Sequence, residues 1–189
     1  MDKDKTEKEK LLKLIEEFGI IVVPQFIIWG DEEYRDRVDL QPQAFYERLV
    51  EDPIRPTTAQ AGVGDFLAGI QKAVENGADE VVILTVSSAM SGTYNVALQA
   101  AKQAEIPVTV IDSKGPTMTL GWQVLAAARK RDEGAEMDAI VDHLTKVRQN
   151  LVQMVALQTL EYLQTGGRIG DAVKWVGGVL KVKPLVSIN

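Results

Sequence analysis

Between residues 65 and 147 short β-branched runs alternate with stretches of helical periodicity, and few folds accept that pattern. Asp65 to Val74 reads as helix, VVILTV at Val81 to Val86 as a buried strand, and Gly92 to Ala104 as helix. Val108 to Ile111 is another strand, followed by helices over Thr117 to Arg131 and Met137 to Val147. Strands separated by helices of this length form βαβ units, so the expected class is α/β, with a mainly parallel sheet flanked by helices. In the last helix Met137, Ile140, Val141, Leu144 and Val147 share one face and His143 falls off it, which makes His143 an exposed helix residue.

The flanks read differently. Residues 1–17 mix both charge signs and end in Leu11, Leu12, Leu14 and Ile15, predicting a solvated helix whose last turns pack on the body. Residues 20–29, IIVVPQFIIW, predict a buried strand interrupted at Pro24. Asp31-Glu32-Glu33 reads as a polar turn, and Pro42 to Val50 as a short helix with proline in its first turn. Composition changes after about residue 150: a strand over Met154 to Leu157, a glycine-rich turn at Thr165 to Gly170, a helical stretch and a strand over Lys181 to Ile188. The expected organisation is a charged helix over 1–19, an α/β domain over 20–150, and the start of a second, incomplete α/β domain over 151–189.

Composition excludes several functions. With 21 basic against 27 acidic residues and a net charge of −6, the chain offers no basic footprint for nucleic acid. No apolar run is long enough to span a bilayer, and the charged N-terminus is unlike a signal, so a cytoplasmic protein without an integral membrane segment is expected. There is no cysteine, hence no disulfide or thiolate metal site, and the single His143 cannot build a histidine cluster. No metal or cofactor is expected.

What remains is hydroxyl chemistry. Pro56-Thr57-Thr58-Ala59-Gln60 and Ser87-Ser88-Ala89-Met90-Ser91-Gly92-Thr93-Tyr94 each precede an apolar-periodic stretch. A helix starting there presents free N–H groups beside side-chain hydroxyls, which suits a carboxylate or a phosphate. The candidates are Thr58 and Ser91, with Thr57, Ser88, Gly92 and Thr93 as neighbours. The plainer alternative is capping: Ser91-Gly92-Thr93 as a helix N-cap, and either threonine as cap of the helix near Val63. A serine nucleophile lacks both a base and a Gly-x-Ser-x-Gly elbow. Gly62-Val63-Gly64 opens like a dinucleotide fingerprint, but Leu67 stands where the third glycine belongs. Gly166-Gly167-Arg168-Ile169-Gly170 is either a helix C-cap and turn or a frame exposing Arg168 for docking or anion contact.

Taken together these blocks resemble the DegV family of bacterial fatty-acid-binding proteins. The matching segments are Tyr34-Arg35-Asp36 with Val38-Asp39-Leu40, Phe45-Tyr46, Pro56 to Gln60, Leu84 to Tyr94, Val110 to Ser113, Leu160 to Leu163 with Gly166 to Gly170, and Leu180 to Pro184. The resemblance implies a two-domain α/β lipid-binding protein without catalytic machinery of its own, holding one long-chain fatty acid between its domains. It implies that Thr58 and Ser91 hold the acyl carboxylate, and that Arg168 belongs to a surface docking a separate fatty acid kinase subunit. Three departures stand out. The charged MDKDKTEKEK run replaces the family's opening strand ending in Asp-Ser-Thr, Ala59 replaces a serine, and the later part of the second domain, with its histidine-bearing loop, has no counterpart. The competing expectation is a structural or regulatory interaction domain with an incomplete lipid pocket. A third, a small-anion or phosphosugar enzyme, needs a general base that the sequence does not reveal.

Overall fold

The computed structural model describes residues 3–170 and 185–188. The charged opening folds as helix α1 (Lys3–Glu17), and of its apolar residues Leu14 and Ile15 are half-buried while Leu11 and Leu12 stay exposed. Gly19, at φ 56°, ends it: the Ile20 N–H donates to the Ile15 carbonyl and the Gly19 N–H to that of Glu16, the paired bonds of a Schellman cap.

The strand expected over 20–29 is realised only as β1 (Phe26–Trp29). Residues 20–25 carry no regular structure, because they find no ladder partner among the described residues. Of the expected polar turn only Asp31 lies in a turn; Glu32 and Glu33 are strand residues, paired with Trp29 and Ile28 across a hairpin. Gly30-Asp31 joins β1 to β2 (Glu32–Arg35), with Trp29 opposite Glu32 and Gly30 at φ 63° supplying the conformation that a two-residue hairpin turn requires. Helix α2 (Pro42–Glu51) follows, and Arg48 on it reaches back to Glu32 of β2 at 2.6 Å. Strand β3 (Thr57–Ala59) then pairs antiparallel with β1, giving the order β2-β1-β3.

Helix α3 (Val63–Glu75) leads to β4 (Val81–Thr85), helix α4 (Thr93–Ala101), β5 (Val108–Asp112) and helices α5 (Met118–Asp132) and α6 (Met137–Gln149). Strands β4 and β5 run parallel, Val81 opposite Val108 through Thr85 opposite Asp112. Alternation along them sorts their side chains onto two faces. Ile83, Val108 and Val110 pack with Phe66 and Ile70 of α3 and Ala97 and Ala100 of α4. Val82, Leu84 and Ile111 pack with Ala127 of α5 and Ile140 and Leu144 of α6. The result is the helix-flanked parallel sheet the alternation predicts, with the antiparallel β2-β1-β3 sheet beside it in sequence. His143 is half-buried on α6.

The chain divides into two units, Met1–Gln149 and Asn150–Asn189. In the second, β6 (Gln153–Ala156) pairs antiparallel with β7 (Leu185–Ile188), and between them lies the short helix α7 (Glu161–Thr165). The helical stretch expected after Gly170, and residues 181–184 of the expected last strand, lie outside the described residues.

Candidate functional site

Thr57 and Thr58 do not cap a helix. They are exposed residues of β3, opposite Ile28 and Ile27. The N-cap of α3 is Gly62, whose N–H donates to Asp65 Oδ2 at 2.7 Å. Two β-branched threonines beside the apolar β1 explain the strand, which the hydroxyl reading of this segment overlooked.

Ser91, Gly92 and Thr93 form the turn into α4, with Gly92 as N-cap. The Ser91 and Thr93 hydroxyls share a hydrogen bond of 2.7 Å, and the Thr93 N–H donates to Ser91 Oγ at 3.3 Å. Ser91 is half-buried and Thr93 buried. Because two hydroxyl protons meet in one mutual bond, a second proton is left to donate elsewhere. With Thr93 as donor, Ser91 directs its own O–H outward.

Gln60, the residue after β3, is what brings the two segments together. A methyl group built on Gly92 comes against Gln60 Oε1 and lies 3.0 Å from its Nε2 and 3.1 Å from its Cδ. The β3 end and the α4 N-terminus therefore abut, and a side chain at position 92 would require the exposed Gln60 amide to shift. Sequence alone marked Gln60 only as the end of its block.

Ser88 has another partner. Its Oγ donates to Asp112 Oδ2 at 2.6 Å and its N–H to Oδ1 at 3.2 Å, and the Lys114 N–H also donates to Oδ1, at 2.9 Å. Asp112, at the carboxyl end of β5, thus takes three donors, and Ser88 is committed to it. Beneath lies the buried Ser113, whose Oγ donates to the Gly115 carbonyl at 2.9 Å. Gln123, fully buried, donates its Nε2 to the Ser113 and Thr119 carbonyls at 2.9 Å each. This network fixes a loop in which Lys114 and Thr117 both adopt positive φ, 56° and 51°.

No imidazole accompanies these hydroxyls, since the chain's one histidine sits on α6 in the opposite helical layer. The corner can offer hydroxyl and amide protons to an anion at the carboxyl end of the parallel strands, where open α/β sheets place their ligands. Arg168 belongs to the second unit. It is exposed after α7, its N–H closes a Schellman cap on the Leu163 carbonyl at 2.9 Å, and its Nη1 donates to the Gly166 carbonyl at 2.5 Å. The glycine-rich turn is thus a helix cap that also displays an arginine. Among the described residues no helix is long and apolar enough to cross a membrane.

A parallel ladder between two helical layers, with hydroxyls gathered at its carboxyl end, defines an α/β protein. The family model described as "Uncharacterised protein, DegV family" matches residues 11–189, and the chain belongs to that family. It is 35% identical over 178 residues to a DegV domain-containing protein of Halalkalibacterium halodurans, covering 94% of this chain and 63% of that one. A Thermus thermophilus structure described as fatty acid binding of a DegV family protein superposes with a TM-score of 0.85 at 32% identity, over 94% of this chain and 63% of that one. A stearic acid-binding protein from Eubacterium ventriosum gives a TM-score of 0.83 at 28% identity, over 94% and 62%. The chain therefore spans less than two thirds of the length of these relatives.

Proposed function

We propose that this chain is the carboxylate-holding part of a long-chain fatty-acid-binding protein, with Thr58 and Ser91 contacting the acid head group and Thr93 orienting Ser91. The observation that carries this reading is the packing of Gln60 on Gly92, which sets the two hydroxyl segments side by side. If the period of two continues one residue past β3, Thr58 shares the side of Gln60. Structural neighbours described as fatty acid binding supply the ligand class. Ser88, held by Asp112, plays no part in the head-group contact.

The energetics divide the labour. Each buried methylene contributes about 0.8 kcal/mol, so the hydrocarbon supplies most of the attraction. Each hydrogen bond to a charged group adds about 1.5–3 kcal/mol, enough to fix the head. The protein acts as a carrier, not an enzyme. By the same reading Arg168 faces a kinase subunit that phosphorylates the bound acid. Native mass spectrometry of the purified chain is expected to show a co-purified fatty acid, and the Thr58→Ala/Ser91→Ala pair to weaken palmitate binding by at least about tenfold. Unchanged affinity in that pair refutes the head-group assignment; a wild-type chain that takes up no acid refutes the carrier itself.

A further inference from the structure

Outside the hydroxyl corner, the first unit carries a cavity of about 390 Å³ along β5. Val110 packs with α3 and α4 on one face of the sheet, and Ile111 with α5 and α6 on the other. A cavity bordered by both, and by Asp112 after them, lies along the strand's edge. Since β4 pairs with the inner edge, this is the outer one. The edge is closed to a further strand at this end, because Arg148, in the last turn of α6, donates from Nη1 to the Asp112 carbonyl at 3.2 Å. None of Thr58, Gln60, Ser91 or Thr93 borders this space.

Three donor groups border it without a partner of opposite charge. Arg148 is half-buried, and beyond the Asp112 carbonyl its guanidinium pairs with no carboxylate among the described residues. Tying one nitrogen of the planar fork fixes its plane and leaves the remaining N–H groups preorganised. The Lys114 ammonium is equally unpaired among the described residues, while its backbone is held at φ 56° by the bond from its N–H to Asp112 Oδ1. The Tyr94 hydroxyl, in the first turn of α4, has no hydrogen-bond partner there either. The one carboxylate on the cavity, Asp112, is compensated by its own three hydrogen bonds, from Ser88 and Lys114. In a chain of net charge −6 the cavity is thus a local concentration of unanswered donors.

The remaining wall is apolar, made by Val110, Ile111, Val141 and Leu144. Sites for small molecules combine such walls with a few convergent polar groups. A bare ion leaves these side chains wetted, whereas a ligand with an apolar body covers them. The donors select its head. Guanidinium, ammonium and phenol are three groups, matching the three terminal oxygens of a phosphate monoester, and an arginine fork beside a lysine suits that group. A carboxylate, with two oxygens, leaves one donor unmatched.

We propose that this cavity binds a small phosphate monoester with an apolar or aromatic body, its phosphate held by Tyr94, Lys114 and Arg148. The probe is phenyl phosphate, titrated into the wild-type chain at about 0.15 M salt, where exposed charges are screened beyond about 8 Å. Saturable one-to-one binding is expected, with NMR amide shifts at Tyr94, residues 110–114 and residues 141–148. Tyr94→Phe, which deletes one hydroxyl and keeps the ring, should weaken binding about three- to tenfold, and Arg148→Gln at least about tenfold. Benzoate and inorganic phosphate should each bind at least about tenfold more weakly than phenyl phosphate. Absence of saturable binding overturns the proposal, as does unchanged affinity in both variants. Equal binding of benzoate overturns the match of three donors to three oxygens, and equal binding of inorganic phosphate the role of the apolar walls. Displacement of phenyl phosphate by palmitate assigns the anion to the Thr58 and Ser91 corner and overturns the site as well. A chain that binds phenyl phosphate at these residues but takes up no palmitate supports this site and refutes only the fatty acid reading.

Discussion

Gly92 offers the sharpest test of the corner on which the functional reading rests. Its backbone, at φ −71° and ψ 0°, is one that alanine adopts without strain. At such a position glycine-to-alanine substitution ordinarily stabilises by about 0.4–1 kcal/mol, by narrowing the unfolded ensemble. Here the added methyl meets the Gln60 amide, with Nε2 at 3.0 Å, so the glutamine must swing away. Driving a side chain off its preferred rotamer costs about 0.5–1.5 kcal/mol, which cancels or reverses the gain. Gln60→Ala removes the obstacle. Urea unfolding of the wild type, both single variants and the double variant should show Gly92→Ala neutral or destabilising alone, but stabilising in the Gln60→Ala background. The expected coupling of about 1 kcal/mol lies well outside the ~0.3–0.5 kcal/mol within which independent sites add. Equal stabilisation in both backgrounds would refute the contact, and with it the claim that the two hydroxyl segments meet.

Other outcomes follow from neighbouring geometry. Arg35 grips Asp39 through its side chain at 2.8 Å and through its backbone N–H, holding the Asp39 pKa at about 2 against an ordinary 3.8. A depressed carboxyl pKa contributes stability that is fully present above about pH 4 and disappears as pH falls toward 2. An NMR titration of the Asp39 carboxyl should place its midpoint near the lower value, and Asp39→Asn should flatten that part of the acid-unfolding profile; an ordinary midpoint contradicts the grip. Gln123→Ala removes the bridge between the Ser113 and Thr119 carbonyls. Stripping donors from buried carbonyls costs about 1–3 kcal/mol, and exchange should rise selectively over residues 113–119. Uniform acceleration across the unit argues instead for plain core loss.

The parallel ladder was legible because its strands, VVILTV and VTVI, are apolar on both faces and separated by helical periodicity. The antiparallel sheet was not. Its β2 strand, Glu32-Glu33-Tyr34-Arg35, is mostly charged, and only the Gly30-Asp31 pair signalled a hairpin. Strand β3 hid for a related reason, since threonine serves strands and caps alike and three residues are too few to show a period. Residues 20–25 misled in the opposite sense. Their composition is that of a buried strand, yet strand identity requires a partner, and local sequence carries no record of whether one is present. Of the site, the two hydroxyl segments were visible as clusters. Their juxtaposition through Gln60 is a tertiary fact without a local signature, as is the commitment of Ser88 to Asp112, 24 residues away.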